Sequence, residues 1–181
     1  MMRLLLLLAL AAGTGAQAQP SAQPDPELRA ALIAAVRQAE SFEHRFDAEV
    51  WLVDMSARLQ QQMPDEAERL TFLRLLHAEA SRAQLAPELV LAVIDVESRF
   101  DRFAISSAGA QGLMQVMPFW LREIGLPEDN LFHMQTNLRM GCAILKFYLE
   151  KEKGDLVPAL ARYNGSHGQT WYAERVIKAL T

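Results

Sequence analysis

Pro87-Glu88-Leu89-Val90-Leu91-Ala92-Val93-Ile94-Asp95-Val96-Glu97-Ser98 is an apolar run with a carboxyl group near its end. At helical period, Val90, Val93 and Ile94 stand seven, four and three positions before Glu97 and share its face, whereas Asp95 projects elsewhere. Pro87 occupies a favoured first helical position. The run therefore reads as a short core-facing helix, and the fold should be organised around it. A carboxyl on an apolar face is costly to ionise. Desolvation raises its pKa, so it can hold a proton near neutral pH and deliver it as a general acid. The alternative is a helix-end glutamate that turns to water, because charged residues are rarely buried without partners. The helix alone leaves both readings open.

Working outward, the pattern stays helical. Upstream, Pro64-Asp65-Glu66-Ala67-Glu68 has the form of a helix start, with Asp65 as N-cap and Glu68 three positions on. The helix that follows should turn Leu70, Leu73, Leu76 and Ala80 inward and break over residues 83–86. Downstream, residues 98–117 read as a glycine-punctuated loop. A helix over residues 118–124 stops at Gly125, and residues 127–134 form another loop. Leu138, Gly141, Cys142, Leu145, Tyr148 and Leu149 make an amphipathic stripe that ends by Gly154. Asp155 can cap the next helix, which ends at Gly165, and a last helix spans residues 171–180. Nothing reads as a strand, and no repeat with a period of about 20–50 residues is present. The expected class is all-α.

The N-terminal third is organised differently. Residues 1–18 have the pattern of a secretory signal peptide: Arg3, an apolar run from Leu4 to Ala12, and Ala16-Gln17-Ala18 as a small-x-small cleavage site. The run is far short of the ~20 residues a membrane span needs, so no stable span is expected after cleavage. Residues 19–26, with Pro20, Pro24 and Pro26, read as an extended linker. Residues 27–66 read as a helical region, with one helix to about Arg45 and a second over residues 47–62 carrying Val50, Trp51, Val53 and Leu59. These extra N-terminal helices should pack on the domain over residues 67–181, the alternative being an independent docking segment.

Composition excludes some functions. The 181 residues are 51% hydrophobic and 22% charged, which is globular. A formal net charge of −4 argues against nucleic acid as a partner, since such binders usually carry a basic patch. Without Arg3, 17 basic residues face 22 acidic ones. Cys142 is the only cysteine, so no internal disulfide forms, and its apolar neighbours suit a buried structural thiol. His44, His77, His133 and His167 show no zinc-type spacing. Neither a metal nor any other cofactor is expected.

The residues around the Glu97 helix resemble the soluble lytic transglycosylase (SLT) family. The resemblance is carried by Glu97-Ser98-x-Phe100, by Ala104-x-Ser106-x-x-Gly109-Ala110-x-Gly112-Leu113-Met114-Gln115-x-Met117-Pro118, by Asn137-Leu138-Arg139-Met140-Gly141, and by Ala159-Leu160-Ala161-Arg162-Tyr163-Asn164-Gly165. It covers roughly residues 70–181. It implies a lysozyme-like single catalytic domain, action on peptidoglycan glycan strands, and an exported, periplasmic location. It leaves open a wall-remodelling or secretion-apparatus partner.

The resemblance also assigns roles. Glu97 is the catalytic acid and base. Ser106 helps position Glu97 and the substrate acetamide, Gln115 binds substrate, the Tyr163 phenol donates to Glu97, and Asn164 holds substrate or loop. Supporting positions are Ser98 at the local turn, Gly109 and Gly112, whose bare backbone allows close approach, and Met114 and Met117, which suit a cleft wall or the core equally. Asn137 is expected to serve a helix start. Phe119, Trp120, Trp171 and Trp51 are candidates for stacking on sugars, with core packing the more common use. One departure stands out: Gly165 follows Asn164 directly where many members have an alanine between, so the loop behind Tyr163 should differ in shape.

Overall fold

The computed structural model describes residues 45–180. The expected signal peptide, the linker and the first N-terminal helix lie outside the described residues, as does Thr181. The described chain contains α1 (Arg45–Arg58), α2 (Glu66–Arg82), α3 (Pro87–Glu97), α4 (Phe119–Ile124), α5 (Met134–Lys151), α6 (Leu156–Asn164) and α7 (Trp171–Ala179). Among the described residues there is no strand. Two isolated antiparallel bridges, Ile105 with Gln111 and Gln111 with Val116, tie the long loop after α3 to itself. The all-α expectation is met.

The helix boundaries follow local chemistry. The Asp65 carboxylate accepts from Glu68 N–H, and that of Asp155 accepts from Val157 N–H, so each satisfies an amide left unpaired at a helix start. Gly165 closes α6 in the left-handed conformation at φ +81°, where a side chain would be strained. The direct Asn164-Gly165 step thus makes an ordinary glycine helix stop, with Asn164 as the last helical residue.

Five helices pack in a circuit: α5 against α2, α2 against α3, α3 against α7, α7 against α6, and α6 back on α5, with α1 laid on α2. One continuous core joins them. α5 is buried on nearly all sides, with Leu138, Met140, Cys142 and Leu145 at 0–1% exposure, as expected of a central helix. α2 departs slightly from expectation. Phe72, Leu73, Leu76 and Ala80 are fully buried, whereas Leu70 is only half-buried. The buried face runs through Phe72, Leu73, Leu76 and Ala80, which leaves Leu70 at its edge, and the Phe72 ring meets Phe100 edge-on at 6.0 Å, which anchors the turn that leaves α3.

α1 shares this core. Met55 and Leu59 are buried in it, and the Trp51 indole N–H donates to Glu88 Oε1 of α3 at 2.7 Å. No described helix is long and apolar enough to cross a membrane.

Candidate active site

α3 delivers Glu97 to the surface of the core. Val90, Val93 and Ile94, on its own face, are fully buried, while Glu97 at the helix end is half-buried. Helix geometry cannot continue beyond it: Arg99 and Phe100 both take positive φ, +52° and +67°. Such a conformation costs of order 1 kcal/mol or more for a residue with a side chain. Here the buried Phe100 ring and the Ser98 hydroxyl, which donates to Ile94 C=O at 3.2 Å, hold the turn. Ser98 therefore stabilises the exit of the helix.

The phenol on Glu97 is not the expected one. Tyr172 Oη, from α7, donates to Glu97 Oε1 at 2.6 Å. Tyr163 Oη instead donates to Met114 C=O at 2.7 Å. The physical reason is packing. α7 lies on α3, so a tyrosine on its buried face reaches the glutamate. α6 lies on α5 and presents Tyr163 to the loop segment that crosses α5. Tyr163 still belongs to the site: both tyrosines feel the Glu97 charge, which together with burial pushes their pKa values up.

Burial pushes the Glu97 pKa above the ordinary carboxylate value. Hydrogen bonds from Tyr172 and then Asn164 favour the ionised form and pull it back, as does the positive charge of Arg175. Asn164, expected from the sequence to hold substrate or loop, is brought instead to the carboxyl. Among the described residues no second carboxylate shifts it.

The loop from Ser98 to Pro118 forms the neighbouring wall, and its expected site residues serve mainly to hold its shape. The Ser106 hydroxyl accepts from Ala110 N–H at 3.0 Å, closing a turn in which Gly109 sits at φ +86°. The Gln115 amide nitrogen donates to Gly112 C=O at 2.9 Å and Ala104 C=O at 3.2 Å, which leaves its amide oxygen outside these bonds. Gly112, at φ +74°, is required twice over. A Cβ there would lie 2.4 Å from Asn137 Nδ2 and 2.5 Å from Leu131 O. Its bare backbone serves close approach by the protein itself.

Asn137 corrects another expectation. It is a clamp for the loop rather than a helix cap. Buried to 1% exposure on α5, it accepts from Met114 N–H at 2.8 Å and donates to Gln111 C=O at 2.8 Å and Leu131 C=O at 2.9 Å. Met114 is fully buried against Gly141, where an added Cβ would meet its sulfur at 2.4 Å, so it is core. Met117 is half-buried at the edge of the core.

Of the aromatic candidates, Trp120 is buried, Phe119 and Trp51 are half-buried, and Trp171 is exposed beside Tyr172. Burial pushes the Cys142 thiol up to about 12, which suits a structural residue. Among the described residues no group of His, Cys, Asp and Glu is arranged to hold a metal.

Sequence reasoning missed Tyr172 and Arg175. The available signal was the amphipathic register of α7, which buries Tyr172, Ala173 and Val176 together. A tyrosine on a buried face needs a partner for its hydroxyl.

An acid at a helix end, bonded by a phenol from a second helix and reached by an amide from a third, is an arrangement able to give and take a proton. Comparison with known proteins places it. The family model described as "Transglycosylase SLT domain" matches residues 74–179, from within α2 to the end of α7. The chain belongs to the transglycosylase SLT domain family.

A transglycosylase of Enterobacteria phage PRD1 is 32% identical over 106 residues, covering 58% of this chain and 39% of that protein. A membrane-bound lytic murein transglycosylase F of Desulfosudis oleivorans is 32% identical over 113 residues, covering 59% of this chain and 24% of that one. A solved structure of the lytic transglycosylase Slt of Pseudomonas aeruginosa, an inactive mutant, aligns with 26% identity and a TM-score of 0.48, covering 84% of this chain and 27% of the other. The alignments thus span well under half the length of these relatives.

Proposed function

We propose that this protein is a peptidoglycan lytic transglycosylase of the cell envelope, with Glu97 as its one acid and base. It would cleave the MurNAc-β-1,4-GlcNAc bond without consuming water and leave 1,6-anhydro-MurNAc ends. The observation that carries the reading is the Glu97 carboxyl itself: half-buried, bonded by Tyr172 at 2.6 Å, shifted toward its protonated form, and with no second carboxylate shifting it among the described residues. Membership of the SLT family, and relatives named as lytic murein transglycosylases, support it. The signal-peptide pattern of residues 1–18 supports export to the periplasm.

Most glycosidases use two carboxyl groups, one to protonate the leaving oxygen and one to meet the oxocarbenium-like carbon, ~5 Å apart when the second is the nucleophile. A single acid suffices when the substrate supplies its own nucleophile. Glu97 protonates the glycosidic oxygen, and the substrate acetamide stabilises C1. The resulting carboxylate then takes the proton from the C6 hydroxyl as that oxygen attacks C1. Intramolecular attack replaces the second protein group, because effective molarities of ~10⁵ M or more are reached by well-oriented internal nucleophiles. Tyr172 and Asn164 stabilise the carboxylate halfway through the cycle. Their bonds keep its pKa from rising so far that the proton could not be released.

The test is Glu97→Gln, assayed on purified wall with mass spectrometry of the soluble products. The wild type should release products one water lighter than hydrolysis would give, and the variant should lose roughly 10²–10⁴-fold in rate. Reducing muramic ends would reassign the chain as a lysozyme-type hydrolase. Wall binding with no soluble product would make it a non-catalytic binding module.

A further inference from the structure

The α7 helix holds two side chains beyond Tyr172 that the chemistry above does not use. At about 100° per residue, Trp171, Arg175 and Tyr172 fall in that angular order, with Arg175 one turn further along and between the two aromatics. Tyr172 is fixed by its bond to Glu97, so this strip leads from the acid outward to solvent. Trp171 is 44% exposed and Arg175 is also exposed.

The Trp171 ring stands edge-on to Tyr172 at 5.9 Å between centroids. Its indole N–H donates to Gln169 Oε1 at 2.9 Å, which orients the exposed ring. Arg175 makes no hydrogen bond or ion pair among the described residues, although its charge reaches Glu97. The neighbouring acid, Glu174, is on another side of the helix and accepts from the Thr170 hydroxyl at 2.6 Å. A preset aromatic face beside an unpaired guanidinium, at the edge of a catalytic carboxyl and on a chain of net charge −4, calls for a ligand with both a flat apolar face and an anionic group.

We propose that Trp171 and Arg175 form a binding subsite on α7 for a sugar residue carrying a carboxylate, with the indole stacked on the sugar face and the guanidinium paired with the carboxylate. The inference rests on the proposed function, which makes the ligand a muramoyl residue. Its carboxylate has two sources: the lactyl group of a strand stripped of peptide, or the peptide stem of an intact strand. Occupation would have a chemical consequence. A carboxylate on Arg175 offsets the positive charge that favours ionised Glu97, so a bound strand helps keep the acid protonated until it reacts.

The experiment is calorimetric binding to the full-length Glu97→Gln protein and to the same protein carrying Trp171→Ala, Arg175→Gln or Arg175→Lys. Three probes are used: glycan strands with stems, strands stripped by an amidase, and chitooligosaccharides, which have the same backbone and no carboxylate. Arg175→Gln should weaken binding of carboxylate-bearing strands about five- to tenfold and leave chitooligosaccharides unchanged. Arg175→Lys should restore part of the loss. Trp171→Ala should weaken all three probes. Loss confined to stem-bearing strands assigns the stem carboxylate, loss confined to stripped strands assigns the lactyl carboxylate, and loss with both shows that Arg175 pairs with either.

Equal loss of neutral and charged probes on Arg175→Gln, or unchanged binding on Trp171→Ala, would overturn the proposal. Thermal melts of each variant separate loss of contact from loss of fold. Because the readout is binding to a chain that lacks its acid, it stands apart from the product assay. Undiminished turnover by Glu97→Gln would defeat the proposed function, whereas the binding comparison reads a separate quantity.

Discussion

Tyr172 Oη lies 2.6 Å from Glu97 Oε1, joining the start of the last helix to the end of α3 across 75 positions of chain. The bond holds a carboxyl that burial alone would leave reluctant to ionise. Tyr172→Phe removes a donor that favours the carboxylate, so the Glu97 pKa should rise further. Turnover should fall about tenfold. The alkaline limb of kcat/KM, where the acid loses its proton, should move to higher pH. A pH–rate profile of the variant checks both, and a limb that stays in place would separate Tyr172 from the titration of Glu97.

Glu97 also links stability to pH. Its folded-state pKa lies above the ordinary value because of burial. Between the two values the folded chain holds a proton that the unfolded chain has released, so stability falls as pH rises through that window. Glu97→Gln removes the titrating group. It should raise Tm relative to wild type at about pH 8 and show little such gain at about pH 4, where both states are protonated. Thermal melts at the two pH values decide this.

Gly112 and Gly109 separate conformational strain from steric conflict. Both have positive φ, but only Gly112 has neighbours where a Cβ would stand. Gly109→Ala should cost about 1 kcal/mol. Gly112→Ala should cost about 2–4 kcal/mol and should also raise KM, because relief requires Asn137 to move and Asn137 clamps the loop beside the site. Chemical denaturation and steady-state kinetics on the pair provide the comparison.

Cys142 should be chemically silent in the folded protein. It is 1% exposed, and burial holds its thiol near 12. A thiol reagent at neutral pH should label it only in denaturant, at a rate that follows global unfolding. Labelling in native buffer at the rate of a free thiol would place the core of α5 in exchange with solvent.

The helices themselves were legible because their signals are local. Asp65 and Asp155 act within three residues of where they stand, Gly165 stops its own helix, and the apolar period of α3 announces its buried face. The glutamate stood out within its helix, but the helix left open whether it turned to water, and its role came from the resemblance of the surrounding motifs to the SLT family. The loop motif was readable as a pattern, but its purpose was less so. Ser106, Gln115 and Gly112 carry residue types that suit a ligand, and the structure spends most of their bonding on the loop and on Asn137.

By itself, then, the chain determined an all-α domain and marked Glu97 as a candidate acid, because helix periodicity, caps and the cost of burying a carboxyl are encoded over one or two turns. Only the tertiary structure decided that Tyr172 rather than Tyr163 meets Glu97 and that the charge of Arg175 reaches it. Those outcomes depend on how α7 and α6 cross α3 and α5. That angle is set by the fit of many side chains at once, and no short stretch of sequence contains it.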